Sequence, residues 1–430
     1  MDGEQPSTAQ PQPQSRLVQT FACPNCGAPV TIRASGHTVV VTCRGCQSLI
    51  DVATPNHQIV SRYVSRRKFE PLIPLGSRGE LFGNPYEVIG FMVRSDTESE
   101  FRWQEYLLFN PYHGFRWLAV ANGHWNFLTM IKEQPSGASD GDVRYDGKNF
   151  ALYFRGRAQV DYVFGEFYWR VRANDVVKVA DHIAPPQILS VELDQGERVW
   201  SLGQYVEPDV VRGAFKVETP FPVKVGVAPN QPSPYPRIGG PFFFFVALLL
   251  AIQVLTDAFA GKEPVYQSGF EYARTAPDKV KVTPPFELKG RASDVEVVSV
   301  APVNNHWLEL RMSLIETNTG KTVSFEQGVE FYSGSDSDGA WSEGKHRHRI
   351  LLSSVPAGTY YLTITPQGST DTSYSVAVRR DVPAWSNFWI ALTLLTLPAM
   401  LVGLLRYNFE TRRWADSEFS PYQSSSEEEE

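Results

Sequence analysis

Two long apolar runs constrain this chain more than any other feature of its sequence. No Asp, Glu, Lys or Arg occurs in the 19 residues from Ile238 to Thr256 or in the 22 residues from Ala384 to Leu405. A helix that crosses a bilayer needs about 20 such residues, because the hydrocarbon core is about 30 Å thick. A soluble helix of this length normally carries a polar face, and neither run has one. The sequence therefore predicts transmembrane helices at 238–257 and 384–405.

The basic residues close to these runs indicate their orientation. Five lie outside the pair of runs, before the first or after the second: Lys224, Arg237, Arg406, Arg412 and Arg413. Three lie between the runs: Lys262, Arg379 and Arg380. Cytoplasmic flanks carry the excess of Lys and Arg, and the first twenty residues lack the apolar stretch of a signal peptide. We therefore expect a two-pass membrane protein with both termini in the cytoplasm.

All four cysteines of the chain fall in one short N-terminal segment. Cys23 and Cys26 form one Cys-x-x-Cys pair, and Cys43 and Cys46 form a second, with 16 residues between the pairs. This spacing is typical of a four-thiolate zinc site. Four thiolates fill a tetrahedral shell and leave no open position, so the zinc would be structural. The sequence predicts a zinc ribbon at 21–54 in which metal binding supplies most of the folding free energy.

Two other uses of the cysteines are less consistent with the pattern. A redox site normally uses one Cys-x-x-Cys pair, and an iron–sulfur site remains an alternative. Some ribbons bind nucleic acid, but Arg33 and Arg44 alone make a poor phosphate-binding surface, so no nucleic-acid partner is expected. We interpret the ribbon as a small docking module.

The region between the ribbon and the first apolar run is rich in strand signals and lacks a long amphipathic helix. Aromatic residues make up 13% of the chain, and such side chains suit the half-buried surface of a sheet. Asn122-Gly123 is a signal for a type I′ hairpin turn. We expect two cytoplasmic β units, barrel-like or sandwich-like, at 67–132 and 140–215, followed by a Pro-rich linker at 216–237.

Several short phrases in this region carry a resemblance to a known family. They are Trp103–Phe109 (WQEYLLF), Gly123–Trp125 (GHW) and Gly165–Trp169 (GEFYW), with the lead-in segments Gly76–Gly79 and Tyr86–Gly90. Over about residues 70–215 the chain resembles the bacterial domain-of-unknown-function family DUF4178. The resemblance implies that the membrane is the bacterial inner (plasma) membrane. Members often carry a similar ribbon, apolar spans and exported domain. The family's biochemical role is not established, so the resemblance implies an architecture and no mechanism.

One acid–base set is conceivable within the same region. His124, Glu105 and Glu166 are residue types that could serve as general acid or base. In the alternative interpretation His124 is a hairpin residue and the two carboxylates pair with nearby arginines: Arg102, Arg116 or Arg170. The sequence contains no nucleophile elbow, phosphate-binding loop or HExxH motif. We therefore predict no catalytic residue and no bound cofactor besides zinc.

Between the apolar runs, residues 258–383 predict a separate β domain. Leu308, Leu310, Met312 and Leu314 alternate with polar residues, which is the pattern of a strand with one buried face. About seven short strands separated by turn signals favour an antiparallel sandwich of jelly-roll kind. The two ends of the chain, 1–20 and the acidic 406–430, have compositions typical of disorder.

The overall fold class expected is thus a multidomain, mainly β protein with two transmembrane helices flanking an extracytoplasmic sandwich. The favoured function is a non-enzymatic scaffold or sensor that links an exported binding domain to cytoplasmic interaction modules. Its partners would be the lipid bilayer and proteins on both sides of it, and a homo-oligomer is left open. The alternative is a membrane-bound hydrolase or modifying enzyme with its site in 70–215.

Overall fold

The computed structural model describes residues 19–54, 56–61, 69–137, 140–194, 196–259, 264–276, 280–337, 339–383 and 385–422. The protein is mainly β, with 50% of its residues in strands and 15% in helices. Two compact units are present, one formed by 1–236 together with 404–430 and the other by 237–403. The predicted disordered segment 1–20 lies almost entirely outside the described residues.

The cysteine-containing segment forms five short strands. Its elements are β1 (Gln19–Ala22), β2 (Pro29–Ile32), β3 (Val40–Thr42), β4 (Leu49–Asp51) and β5 (Ile59–Ser61). Strands β1 and β2 form a hairpin, and β3, β4 and β5 pair in order as a second antiparallel ladder. The apolar core of this segment is small and consists of two of the cysteines with Val30, Val41 and Ile50.

Ten further strands follow, and eight of them close into a barrel. They are β6 (Arg78–Leu81), β7 (Asn84–Asp96), β8 (Arg102–Asn110), β9 (Gly114–Ala121), β10 (His124–Ile131), β11 (Val143–Tyr145), β12 (Lys148–Phe167), β13 (Val176–Ala184), β14 (Gln187–Asp194) and β15 (Glu197–Val206). The barrel order is β7-β8-β9-β10-β15-β14-β13-β12, and β12 pairs back onto β7. The hairpin predicted at Asn122-Gly123 joins β9 to β10, with both residues at positive φ, as a type I′ turn requires.

The two β units expected at 67–132 and 140–215 are one barrel rather than two separate domains. Strand β12 is 20 residues long, and it pairs with β13 through its first half and with β7 through its second. Register shifts between Leu152 and Phe154 and between Val160 and Tyr162 bend it from one partner to the other. Closure removes the unpaired edges that two separate sheets would expose. The prediction failed because sequence periodicity does not indicate which distant strands pair.

The segment after the barrel is packed and not only a spacer. Helix α1 (Pro208–Ala214) buries Val211 completely. Phe215 and Phe221 extend this contact over the outer side of the barrel, where Phe221 lies on Trp125 with ring centroids 4.8 Å apart. Within the stretch expected to be a stiff linker, Asn230 is fully buried.

The second unit begins with helix α2 (Gly239–Ala258) and continues as a β domain. Its strands are β16 (Tyr266–Tyr272), β17 (Lys281–Val282), β18 (Phe286–Leu288), β19 (Ser293–Val300), β20 (His306–Glu316), β21 (Thr322–Asp336), β22 (Gly339–Lys345), β23 (Arg347–Val355), β24 (Gly358–Gly368) and β25 (Thr372–Arg380). One sheet has the order β16-β25-β19-β23; the other has β17-β24-β20-β21-β22, with β18 also on β24. Both contribute to one core, to which β20 supplies the four alternating residues Leu308 to Leu314.

The chain ends with helix α3 (Trp385–Arg413). Both α2 and α3 are long and apolar enough to cross a membrane, and only 6% of the most apolar window of each is buried. A core helix of a soluble protein would be mostly buried, whereas the apolar side chains of α2 and α3 are mostly exposed.

The predicted boundary of the second apolar helix at 405 and the predicted disorder from 406 onward are both corrected. Helix α3 continues to Arg413, and the described residues that follow pack on the barrel. The Tyr153 hydroxyl donates to the carbonyl of Arg413 at 2.9 Å, and Trp414 lies 5.3 Å from the Tyr153 ring. The reason is composition: residues up to 422 include aromatic side chains, and the acidic run itself falls in 423–430, outside the described residues.

Candidate functional site

The four cysteines lie on two turns with the same backbone geometry. In the first turn the amide of Gly27 donates to the carbonyl of Cys23 and the amide of Cys23 donates to Ala28, each at 2.8 Å. In the second turn Gln47 donates to Cys43 and Cys43 donates to Ser48, each at 2.9 Å. The residues after the second cysteine of each pair, Gly27 and Gln47, both have positive φ. Each turn therefore presents its two sulfurs to the same point.

The distances among the sulfurs fit a tetrahedral metal and not a disulfide. All four Sγ atoms lie within 4.8 Å of one another. The Sγ atoms of Cys23 and Cys46 are 3.7 Å apart, as are those of Cys26 and Cys43. Metal–sulfur bonds of about 2.3 Å place the sulfurs of a tetrahedron about 3.8 Å apart, whereas a disulfide bond is about 2.05 Å long. The four predicted ligands thus converge on a site that could hold a metal ion.

The surroundings of the sulfurs favour thiolates in part of the cluster. The Ser48 hydroxyl lies 3.3 Å from Cys46 Sγ and receives a hydrogen bond from Asn25 Nδ2 at 2.9 Å. The hydrogen bond with Ser48 lowers the pKa of the Cys46 thiol to about 5, while burial raises the pKa of Cys23. Ligand thiols bind metal as thiolates, and groups in contact with the ligands orient them. Asn25 and Ser48 are such positioning residues.

Glu166 connects the four-cysteine segment to the barrel. Strand β3 pairs with β12 at Val41 and Glu166, and the Glu166 carboxylate is almost completely buried. It accepts hydrogen bonds from the amides of Arg33 at 2.9 Å and Ala34 at 3.0 Å, and from the Thr38 hydroxyl at 3.0 Å. Burial raises the pKa of Glu166, and the amides of Ala34 and Arg33 act in the opposite direction. The carboxylate is thus a buried acceptor that fixes the segment between the two cysteine pairs.

A second polar cluster lies inside the barrel. The Arg94 guanidinium on β7 forms ion pairs with Glu105 on the neighbouring β8 and with Glu192 on β14. Because β14 does not neighbour β7 in the barrel, the Arg94–Glu192 pair spans the interior, and these side chains define its inner face. Trp103 Nε1 donates to Glu105 at 2.6 Å. Burial raises the pKa of Glu105 and raises that of Asp181, on β13, to about 6.

The three residues considered for acid–base chemistry are not brought together. His124 is buried with Nδ1 3.0 Å from the Tyr205 hydroxyl and Nε2 3.3 Å from the carbonyl of Val225, and burial lowers its pKa. Glu105 belongs to the barrel interior, whereas Glu166, on β12, contacts the four-cysteine segment. The arginines expected as partners were also wrong, since Glu105 pairs with Arg94 and Glu166 lies near Arg33.

The sequence did not single out Arg94, Asp181 or Glu192. Each lies in a strand, and alternation along a strand assigns side chains to two faces without telling which face is inside a barrel. A usable signal would have been an ionisable residue within a strand whose two faces are both mainly apolar. Such a residue is expected to be buried, and buried charges are rare unless they are paired.

These features define a class of protein: a β-rich chain with a closed eight-stranded barrel, a cluster of four cysteines joined to it, and two apolar helices. Residues 74–208 match the family described as Domain of unknown function (DUF4178). This part of the chain belongs to that family. The matched residues run from just before β6 to just after β15, so the family domain is the barrel.

Other comparisons add little to this assignment. No curated protein matches the chain. A pre-peptidase C-terminal domain of collagenase from Bacillus anthracis has 10% identity and a TM-score of 0.18, covering 27% of this chain and 90% of that one. An infectious bursal disease virus structure (Gt strain) has 12% identity and a TM-score of 0.16, covering 71% and 76%. A Trypanosoma rangeli sialidase in complex with sialic acid has 8% identity and a TM-score of 0.12, covering 90% and 77%. At these scores the likenesses carry no argument about fold or function.

Proposed function

We propose that this protein is a non-enzymatic scaffold or sensor of the bacterial cell envelope that spans the inner membrane twice. The observation that carries the proposal is that the segments flanking both apolar helices pack on the same barrel unit. Arg406, in the C-terminal part of α3, donates to the carbonyl of Tyr235, just before α2, at 2.7 Å. Arg413 donates to the carbonyls of Ala228 at 3.3 Å and Pro229 at 2.6 Å.

This packing supports a definite topology. Residues that pack on one folded unit lie on one side of a membrane, so the segments before α2 and after α3 share a side. The excess of basic residues at those two flanks makes that side cytoplasmic. The barrel, the four-cysteine segment and both termini are then inside the cell, and the sandwich of 264–383 is exported.

The metal in this proposal is zinc with a structural role. Four sulfur ligands with spacings near 3.7 Å suit Zn²⁺, which favours tetrahedral thiolate coordination. A closed four-ligand shell leaves no position for a substrate, so the ion would supply folding free energy rather than catalysis. Glu166 would transmit the stability of the zinc ribbon to the barrel.

In this proposal the barrel is the part of the protein that senses or relays events on either side of the bilayer. It contacts the four-cysteine segment through Glu166 and the end of α3 through Tyr153, whose hydroxyl donates to the carbonyl of Arg413. It contacts the segment before α2 through Asn126, whose side-chain oxygen accepts from Asn230 at 2.7 Å. Protein partners would therefore bind the sandwich outside and the barrel or ribbon inside. A hydrolase in 70–215 is the weaker alternative, because His124, Glu105 and Glu166 have separate sets of contacts.

Protease accessibility tests the topology. Trypsin added outside spheroplasts should cut at Lys345 or Arg347, which are exposed in the sandwich, and should spare Lys132, which is exposed in the barrel unit. Lysis of the spheroplasts should make Lys132 accessible and serves as the control. Cleavage at Lys132 before lysis would overturn the topology.

In-cell photo-cross-linking tests the function. A cross-linking amino acid replaces Tyr112, which is 87% exposed on the barrel, or Trp341, which is 46% exposed in the sandwich. A scaffold predicts discrete protein adducts at both positions, with different partners on the two sides. The proposal fails if neither position yields an adduct, or if Glu105→Gln abolishes a measurable turnover while leaving both sets of adducts unchanged.

A further inference from the structure

The inner face of the barrel carries an unbalanced set of charges. By strand register it includes Arg94 and Asp96 on β7, Glu105 on β8, Asp181 on β13 and Glu192 on β14. Among the described residues of these strands, four carboxylates thus face one guanidinium inside the barrel. Arg94 is already engaged by Glu105 and Glu192. Buried carboxylates without a counter-charge are costly, and this arrangement therefore has an unmet preference for a cation.

One of these carboxylates has an oxygen with no partner. Asp96 is 7% exposed, its Oδ2 accepts from Ser99 at 2.7 Å, and its Oδ1 has no hydrogen-bond partner. The free oxygen lies beside Gly156, at 3.1 Å from where a Cβ on that residue would stand. Gly156 is itself on the inner face, opposite Val179 in the β12–β13 ladder. The Phe154 ring lies at the same place, with its Cζ 2.6 Å from that Cβ position, so the unpartnered oxygen of Asp96 points into the barrel beside an aromatic ring.

Aromatic side chains line the same space. The Arg94 guanidinium lies 5.9 Å from the Trp103 ring, which is a cation–π distance. Trp117 on β9 lies opposite Leu107 in the register and so shares the inner face with Glu105. Tyr168 reaches across to Met130 on β10, with its hydroxyl 3.5 Å from the sulfur. Carboxylates next to indole and phenol rings suit organic cations better than Mg²⁺, because aromatic rings attract weakly hydrated organic cations, whereas Mg²⁺ gives up its water reluctantly and requires a full shell of oxygen ligands.

Access to the cluster is provided by Glu192, whose side chain is 46% exposed although it pairs with the buried Arg94. Solvent therefore reaches at least one of the carboxylates. A closed eight-stranded barrel is also the size of barrel that can hold one small ligand.

We propose that the barrel interior binds a small organic cation that carries N–H donors, an amine or a guanidinium compound, between the carboxylates of Asp96, Asp181 and Glu192 and the rings of Trp103 and Trp117. The N–H groups donate to carboxylate oxygens, and the alkyl or planar part packs on the rings. A quaternary ammonium ion has no N–H donors and binds less tightly. This site goes beyond the scaffold role and does not depend on the membrane topology.

Calorimetric titration of the purified full-length protein in detergent tests the proposal. The probes are n-butylammonium, methylguanidinium and tetramethylammonium chlorides at ionic strength held constant with NaCl. We expect saturable binding of one n-butylammonium or methylguanidinium per chain, and binding of tetramethylammonium that is at least about tenfold weaker, which corresponds to about 1.4 kcal/mol. Titration with MgCl₂ should produce no stoichiometric binding.

Substitutions assign the binding to the interior. Glu192→Gln should weaken binding at least about tenfold, and Asp181→Asn provides a second interior variant if the first lowers the yield of folded protein. The matched control is Glu80→Gln, which removes the same charge from an exposed side chain on β6, a strand outside the closed barrel. The affinity of this variant should equal that of the unmodified protein. The proposal is overturned if neither N–H-bearing probe saturates, if Mg²⁺ binds in their place, or if Glu80→Gln weakens binding as much as the interior variants do.

Discussion

The substitution Glu166→Gln measures how firmly the four-cysteine segment is joined to the barrel. The carboxylate accepts from two backbone amides and one hydroxyl of the segment between the cysteine pairs, and the Arg33 amide lies 2.9 Å from both of its oxygens. Glutamine keeps the shape of the side chain. It removes the negative charge, however, and turns one acceptor atom into a donor that faces the Arg33 amide.

The size of the effect follows from these contacts. Hydrogen bonds to a charged acceptor contribute about 1.5–3 kcal/mol each, against about 1 kcal/mol for neutral pairs. Three donors that lose charge assistance, one of them turned toward another donor, give an expected loss of about 3 kcal/mol. The matched control is Glu87→Gln. Glu87 pairs with the side chains of Arg33 at 2.8 Å and of the exposed Arg78 at 2.9 Å. Glutamine keeps a neutral acceptor for these donors, so this substitution should cost about 1–2 kcal/mol, less than Glu166→Gln.

Amide hydrogen exchange followed by mass spectrometry reads out the loss locally. A local opening that becomes about 3 kcal/mol easier accelerates exchange at Arg33 and Ala34 by about a hundredfold. Bound metal should stay at the unmodified amount, because the four sulfur ligands are untouched. The reasoning is refuted if exchange at these amides changes less than about threefold, or if Glu87→Gln has the larger effect.

Three further predictions concern other parts of the first unit. Cys43→Ser should abolish zinc binding, measured by elemental analysis, and should remove the protection of β3 and β4 from amide hydrogen exchange. The reason is that metal binding would supply most of the stability of so small a core, and retention of metal by the variant would contradict the prediction. The raised pKa of Asp181, about 6 against 3.8, means that the folded protein holds this proton more tightly than the unfolded chain, so stability is lost as pH rises from about 4 to about 6. Asp181→Asn should therefore raise the free energy of unfolding by up to about 3 kcal/mol at pH 8 and leave it unchanged at pH 4. Denaturant titration without added amine measures both values, and equal effects at the two pH values would contradict the raised pKa of Asp181. Tyr153→Phe, which loses the hydroxyl that donates to the Arg413 carbonyl, should cost about 1 kcal/mol and speed exchange at the end of α3, and unchanged exchange there would count against the docking of this helix end.

Local features of the sequence were sufficient to predict some residues of the candidate site. The paired spacing of Cys23, Cys26, Cys43 and Cys46 predicted that the four sulfurs would lie close together, because two turns of this kind each present two sulfurs to one point. Glu105 and Glu166 were singled out as candidates, yet their partners were misjudged. Arg33 is 133 residues from Glu166 along the chain and Glu192 is 98 residues from Arg94, and sequence spacing carries no information about such contacts.

The sequence by itself therefore determined the features that depend on neighbouring residues: the two apolar helices, the cysteine turns, the Asn122-Gly123 hairpin and the alternating strand from Leu308 to Leu314. Tertiary structure alone decided that β12 bends from β13 to β7 and closes two expected β units into one barrel. Closure then placed Arg94 and four carboxylates on an inner face, and it set the segments next to both apolar helices against the same unit. The physical reason is that hydrogen-bond ladders between strands satisfy any backbone equally well, so the choice of partner is made by the packing of the whole fold.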